Sequence, residues 1–120
     1  ISFSSLCDKV KNKLNLPNLK VVMSAKHKTQ NISKIAITTG SGMGLLQEVK
    51  ADCFLTGDIK YHDAMEAKAR NISLIDISHY ESEICFSEIM YELIYEFLNF
   101  YKIKAIISNN TNPFLNYTGD

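Results

Sequence analysis

Two short stretches hold most of the side chains able to do chemistry. "TGDIKYHDA" carries Asp58, Lys60, His62 and Asp63, and "DISHYESE" carries Asp76, His79, Glu81 and Glu83. A helix starting at Ser78 puts His79 and Glu83 four residues apart on one face, with β-carbons about 6 Å apart. An imidazole and a carboxylate so placed can reach one divalent ion, or the glutamate can bridge two. H-x-x-x-E also occurs on helices by chance, so an exposed His–Glu pair is the plain alternative.

Local structure explains some of these residues. Ser78 and Glu81 fit the capping box S-x-x-E, each satisfying the other's backbone N–H, which accounts for Glu81 as structure. Asp58 stands where a helix N-cap is wanted, a role worth about 1 kcal/mol. A cap does not call for Lys60, His62 and a second aspartate beside it. Asp58, Lys60 and His62 are therefore candidates for handling protons or an anionic substrate group.

A third stretch, "TTGSGMG", offers Gly40, Ser41 and Gly42 as a backbone cradle for a phosphate or other substrate anion. It lacks the G-x-G-x-x-G register and the lysine of a P-loop, so a tight strand-to-helix turn explains it equally well. Ser41 has no G-x-S-x-G elbow, and no cysteine adjoins a histidine, so metal chemistry is favoured over covalent catalysis.

The elements must bring these stretches together. Short apolar runs ("KIAI", "CFL", "SLI") alternate with helical stretches over the middle of the chain, the pattern of βαβ units in a parallel sheet. Right-handed crossovers place every strand-to-helix turn at the carboxyl edge, where ligands bind in such sheets. All three stretches follow a strand and share that rim. Ahead of them, Ser4 or Ser5 caps a helix through about Leu14, with Leu6, Val10 and Leu14 on one face. "LKVVMSA" and "SKIAITTG", joined by "KHKTQN", read as a β-hairpin.

"ICFSEIMYELIYEFLNFY" is the clearest helix, with Ile89, Met90, Leu93, Ile94, Phe97, Leu98 and Tyr101 in one apolar stripe expected to face a core. Glu88, Glu92 and Glu96 exclude it as a membrane span. "IKAIIS" reads as one more short apolar run. The expected fold is therefore α/β: a mixed, largely parallel sheet with flanking helices and an N-terminal hairpin.

The chain has 120 residues, the size of one domain, so 1–120 is read as a single α/β domain. Thirteen basic residues balance thirteen acidic ones, so no global field favours nucleic acid or an anionic membrane. The local cluster Lys20, Lys26, His27, Lys28 and Lys34 reads as a solvated loop, with a phosphate patch as the rival. The three cysteines, Cys7, Cys53 and Cys85, include no C-x-x-C pair and suit a reducing cytoplasm. No secretory signal is present in "ISFSSLCDKV", and the start at Ile1 rather than Met suggests a piece of something longer.

"GSG", "ADCFLTGDIKYHDAMEAKA" and "LIDISHYESE", in this order and spacing, resemble the C-terminal half of the Nif-three-like dinuclear-metal proteins, the GTP cyclohydrolase I type II homologues. The similarity runs from about Leu6 to Pro113 and Phe114. It implies that His79 ligates one metal, that Glu83 contacts both, and that Asp58, Lys60 and His62 line the same cavity. It also implies a cytoplasmic toroidal homohexamer, two divalent ions per intact chain, and a parent of roughly 240–250 residues.

Two departures stand out. The family usually has Gly just before the ligand histidine, where this chain has Ser78, a change that the capping box would make benign. The remaining ligands, a His pair and an Asp, belong to an N-terminal half with no counterpart here. Two ligands do not close a dinuclear site, so this chain alone is expected to bind metal weakly or not at all.

The function expected of the parent is metal-dependent hydrolysis of a small molecule. The metal is zinc, iron or manganese, all of which suit His and carboxylate ligands. The rival classes are a metal-binding oligomeric scaffold or regulator, and a nucleotide-binding module built on "GSGMG".

Overall fold

The computed structural model describes residues 1–119, which divide into two compact units, the first Ile1–Glu83 and the second beginning at Ile84. The first unit holds a four-stranded sheet in the order β1-β4-β3-β2, built from β1 (Lys20–Val22), β2 (Ile35–Ser41), β3 (Cys53–Gly57) and β4 (Ser73–Asp76). β2, β3 and β4 run parallel, and β1 pairs antiparallel with β4. The sheet is thus mixed and largely parallel, as the alternation of apolar and helical stretches requires.

The N-terminal hairpin does not form. β1 pairs with β4 and β2 with β3, and the segment between them coils into a short 3-10 turn at Ala25–Lys28. The local pattern of two β-rich runs and a polar joint is that of a hairpin, but the buried side chain of His27 draws the joint onto the sheet.

Each face of the sheet has its own packed layer. On one, α1 (Phe3–Lys13) lays Phe3 and Leu6 over Cys53, Leu55, Ile75 and Ile77. Its cap is Ser2, whose Oγ accepts the N–H of Ser5, two or three residues earlier than the Ser4 or Ser5 that the sequence favours. On the other face, Met43 and Leu46 of a 3-10 turn and Ala67 of α2 (Tyr61–Ala69) cover Phe54, Ile72 and Leu74. β3 is buried along its whole length because it lies inside the sheet with a layer on both sides. Burial also pushes the Cys53 thiol up to about 12, so this cysteine is inert packing material.

The amino edge of the sheet is held by polar groups. Buried Ser24 donates its N–H to Ser73 Oγ at 3.0 Å, and His27 Nδ1 lies 3.0 Å from Ser24 Oγ and 2.8 Å from Ser73 Oγ. Beside it, Asp52 accepts from Lys26 Nζ at 2.9 Å, from Ser33 N–H at 3.0 Å and Oγ at 2.8 Å, and from Lys34 N–H at 3.0 Å. Lys26 and then Ser33 hold the Asp52 carboxyl well below the usual carboxylate range. Of the cluster read as a solvated loop, Lys20, Lys26, Lys28 and Lys34 are exposed as expected, while His27 is buried and, with Ser24, pins the segment to β4.

After β4, α3 (His79–Glu83) is a single short helix closing the first unit. In the second unit, α4 (Phe86–Phe100) forms as the periodicity requires, but none of its residues is buried. Leu93 is 74% and Phe97 57% exposed. Periodicity identifies an apolar face without saying which surface covers it, and the expected core packing is not found among the described residues. "IKAIIS" forms no strand. No helix among the described residues is long and apolar enough to cross a membrane.

Candidate metal centre

The carboxyl ends of β2, β3 and β4 meet at one rim, and the chain turns there on three residues with left-handed backbone: Gly40 (φ 63°), Asp58 (φ 54°) and Ser78 (φ 64°). Gly57, at the end of β3, lets the entry to α3 rest directly on that strand. A Cβ on Gly57 would lie 2.8 Å from the His79 backbone N and 2.9 Å from the Gly40 carbonyl O. These are backbone atoms, so the close approach requires glycine.

His79 is the first residue of α3 and Glu83 the last, which sets both side chains on one face as the four-residue spacing requires. His79 Nε2 lies 3.2 Å from Glu83 Oε2, and His79 Nδ1 lies 2.5 Å from Asp58 Oδ2. The three side chains are each about half exposed, so they are open to a ligand from outside this unit. The hydrogen bond to Asp58, reinforced by the negative charges of Glu83 and Asp58, raises the His79 pKa above its ordinary 6.5 despite some desolvation.

Gly40 forms the floor of this arrangement. A Cβ there would lie 2.3 Å from Glu83 Oε1 and 3.3 Å from His79 Nε2. The missing side chain leaves room that the Glu83 carboxylate fills, beside one imidazole nitrogen. An imidazole nitrogen and a carboxylate are donors that suit part of a divalent-ion site. Among the described residues, no three His, Cys, Asp or Glu side chains are placed to hold one ion.

The "GSG" loop is tied into this site from within. The Gly40 N–H donates to Ser82 Oγ at 2.9 Å, and the Gly42 N–H to Thr56 Oγ1 at 2.8 Å. Thr56 Oγ1 in turn donates to the Gly40 carbonyl at 3.2 Å, and Ser82 Oγ to the His79 carbonyl at 2.8 Å. A phosphate cradle needs open N–H groups, and two of its three are already satisfied. Ser41 ends β2, exposed and in register with Gly57. Thr56 and Ser82 drew no notice in the sequence; the one signal was Ser82 standing three residues after His79, one helical turn away.

Asp58 is not a helix cap. α2 begins at Tyr61, and its first turn is closed by the Lys60 N–H donating to Asp63 Oδ2 at 3.3 Å. Lys60 and His62 are exposed, and the His62 ring packs edge-on against Tyr61, with 5.4 Å between centroids. Among the described residues no hydrogen bond or ion pair joins the Lys60 or His62 side chains to His79 or Glu83. Ser78 is likewise no side-chain cap of the usual kind, since its φ of 64° lies outside the extended region that an N-cap adopts. Its N–H donates to Asp76 Oδ1 at 3.0 Å, closing the turn that leads into α3.

A largely parallel α/β sheet with an acidic–imidazole cluster at its carboxyl rim is the class of protein defined so far. Residues 1–113 match the family model Duf34/NIF3 (NGG1p interacting factor 3), and the chain belongs to that family. It is 47% identical over 114 residues to a GTP cyclohydrolase 1 type 2 homolog of Campylobacter jejuni, covering 95% of this chain and 44% of the relative. It is 42% identical over 114 residues to the GTP cyclohydrolase 1 type 2 of Helicobacter pylori, with 94% and 44% covered. A crystal structure of the Staphylococcus aureus protein SA1388 superposes with a TM-score of 0.78 at 35% identity, over 98% of this chain and 39% of that one. A Bacillus cereus protein related to NIF3 shares the fold, with a TM-score of 0.80 at 20% identity, over 98% of this chain and 33% of its own. The chain thus spans less than half the length of these relatives.

Proposed function

We propose that His79 and Glu83 are this chain's share of a dinuclear divalent-metal centre, completed by residues outside the chain, in a protein that hydrolyses a small molecule. The observation that carries the reading is the convergence of His79 Nε2 and Glu83 Oε2, 3.2 Å apart, over Gly40, whose missing Cβ makes room for the carboxylate. Zinc, iron and manganese all suit a His and carboxylate set. Two such ions, when bound, supply the Lewis acidity that polarises a substrate and activates water at neutral pH.

The chain's own residues position and neutralise. His79 would offer one ring nitrogen to such a centre, and Glu83 its negative charge and carboxylate oxygens. Lys60 and His62, at the start of α2 on the same rim, are proposed to meet an anionic substrate group or to move a proton. GTP is the substrate class suggested by the names of the relatives from Campylobacter and Helicobacter.

The test is elemental analysis of the intact parent, wild type beside Glu83→Ala, with this chain as control, followed by nucleotide turnover with the metals loaded. Near two ions per wild-type chain, reduced in the variant and absent from this chain, supports the split centre. Equal metal in wild type and variant removes Glu83 from the ligand set.

A second reading, a metal-binding scaffold assembled as a homohexamer, draws support from the apolar stripe of α4, where Leu93 and Phe97 stand open. It predicts bound metal with no saturable turnover, and a ring-sized species on light scattering of the intact protein.

A further inference from the structure

Asp58 carries a cost that the start of α2 does not explain. It lies just beyond β3 in a left-handed conformation, one that residues with a Cβ adopt uncommonly. The helix begins later and is closed by Asp63. What this backbone achieves is to bring Asp58 Oδ2 to 2.5 Å from His79 Nδ1.

The two imidazole nitrogens point away from each other across the ring. Nε2 faces Glu83 above Gly40, so Asp58, on the Nδ1 side, cannot join that nitrogen at one ion. An aspartate there is badly placed as a ligand and well placed to hold the ring. Metal-binding histidines commonly donate their other N–H to a carboxylate, which fixes the tautomer and the ring plane and makes the ligating nitrogen more basic.

The geometry points to Asp58 as a positioning residue: its carboxylate accepts the Nδ1–H of His79 and so directs the Nε2 lone pair toward the Glu83 carboxylate. The inference rests on the reading of His79 and Glu83 as metal ligands. Without Asp58, a neutral imidazole prefers its proton on Nε2, the nitrogen that must be free, and the ring loses the contact that sets its rotation.

The experiment measures zinc affinity by chelator competition in the intact parent, for wild type, Asp58→Ala, Asp58→Asn, His79→Ala and Glu83→Ala. Alongside it, 1H–15N spectra of the histidine-labelled, zinc-loaded proteins follow the His79 ring. His79→Ala and Glu83→Ala should lose bound zinc. Asp58→Ala should keep the zinc stoichiometry at saturation, bind about 10–100-fold more weakly, and lose the exchange-protected Nδ1–H signal. Asp58→Asn, whose carbonyl still accepts that N–H, should recover part of both; being isosteric, it also serves should the alanine variant fail to fold.

Wild-type affinity in both Asp58 variants, with zinc lost in His79→Ala and Glu83→Ala, overturns the positioning role and leaves the ligand pair standing. Loss of a zinc equivalent in Asp58→Ala at saturating metal makes Asp58 a ligand and equally overturns it. Unchanged zinc in His79→Ala and Glu83→Ala overturns the ligand reading, and this inference with it.

Discussion

Gly40 and Glu83, forty-three positions apart, share one space: a Cβ on the glycine would sit 2.3 Å from the glutamate's Oε1. The obstructing atom is the far end of a flexible side chain, so Gly40→Ala should displace the carboxylate rather than break the sheet. The left-handed φ of 63° adds a backbone penalty of about 1 kcal/mol. The expected result is a small loss in denaturant midpoint together with a large loss of bound metal in the intact protein. Full metal retention in Gly40→Ala would show that the position of Glu83 over Gly40 does not matter to the ion.

Ser78 occupies a left-handed position, φ 64°, immediately before His79. A glycine there would fit this geometry without a Cβ penalty, which a capping argument does not explain. Ser78→Gly should therefore stabilise the protein by about 1 kcal/mol, read from urea unfolding, with metal binding unchanged. A loss of stability would mean that the serine side chain makes a contribution larger than its strain.

How much of this was legible in advance depended on range. His79 and Glu83 lie within one helical turn, so their common face followed from spacing alone. Gly40, Asp58 and His79 come from three different strand ends, yet the right-handed crossover rule placed them on one rim. What could not be read was handedness and commitment at single residues. Asp58 looked like a cap because Asp before a helix usually is one, and only its φ and the later start of α2 reveal otherwise. The hairpin failed for a related reason: two neighbouring β-rich runs suggest pairing, but a buried histidine between them sends β1 to the far side of β4.

Asp52 sets an acid limit on the fold. Its folded pKa lies below its unfolded value near 3.9 because Lys26 and Ser33 favour the carboxylate. Stability from this group is therefore complete above the unfolded value and is lost as pH falls through the folded one. Asp52→Asn should cost about 2 kcal/mol at pH 7 after allowing for the solvent screening of Lys26, and progressively less below pH 4. Chemical denaturation of wild type and variant between pH 7 and pH 2.5 tests the sign. A difference that grows on acidification would contradict it.

The two edges of the sheet divide the labour, and the last prediction separates them. At the amino edge, buried His27 is hydrogen-bonded to Ser24 and Ser73; at the carboxyl edge, half-exposed His79 meets Asp58 and Glu83. His27→Ala opens a cavity and strands two buried hydroxyls, so it should cost about 2–4 kcal/mol in unfolding free energy. Because Ser73, its contact on β4, lies at the opposite end of that strand from His79, the folded variant should bind zinc as wild type does. Glu83→Ala should do the reverse, melting normally in its metal-free form while losing zinc. Measuring both quantities on both variants of the intact protein gives four values, and the expected pattern is a crossing one. Metal loss in His27→Ala at a temperature where it is fully folded would show that the amino edge positions the site and is not merely its support.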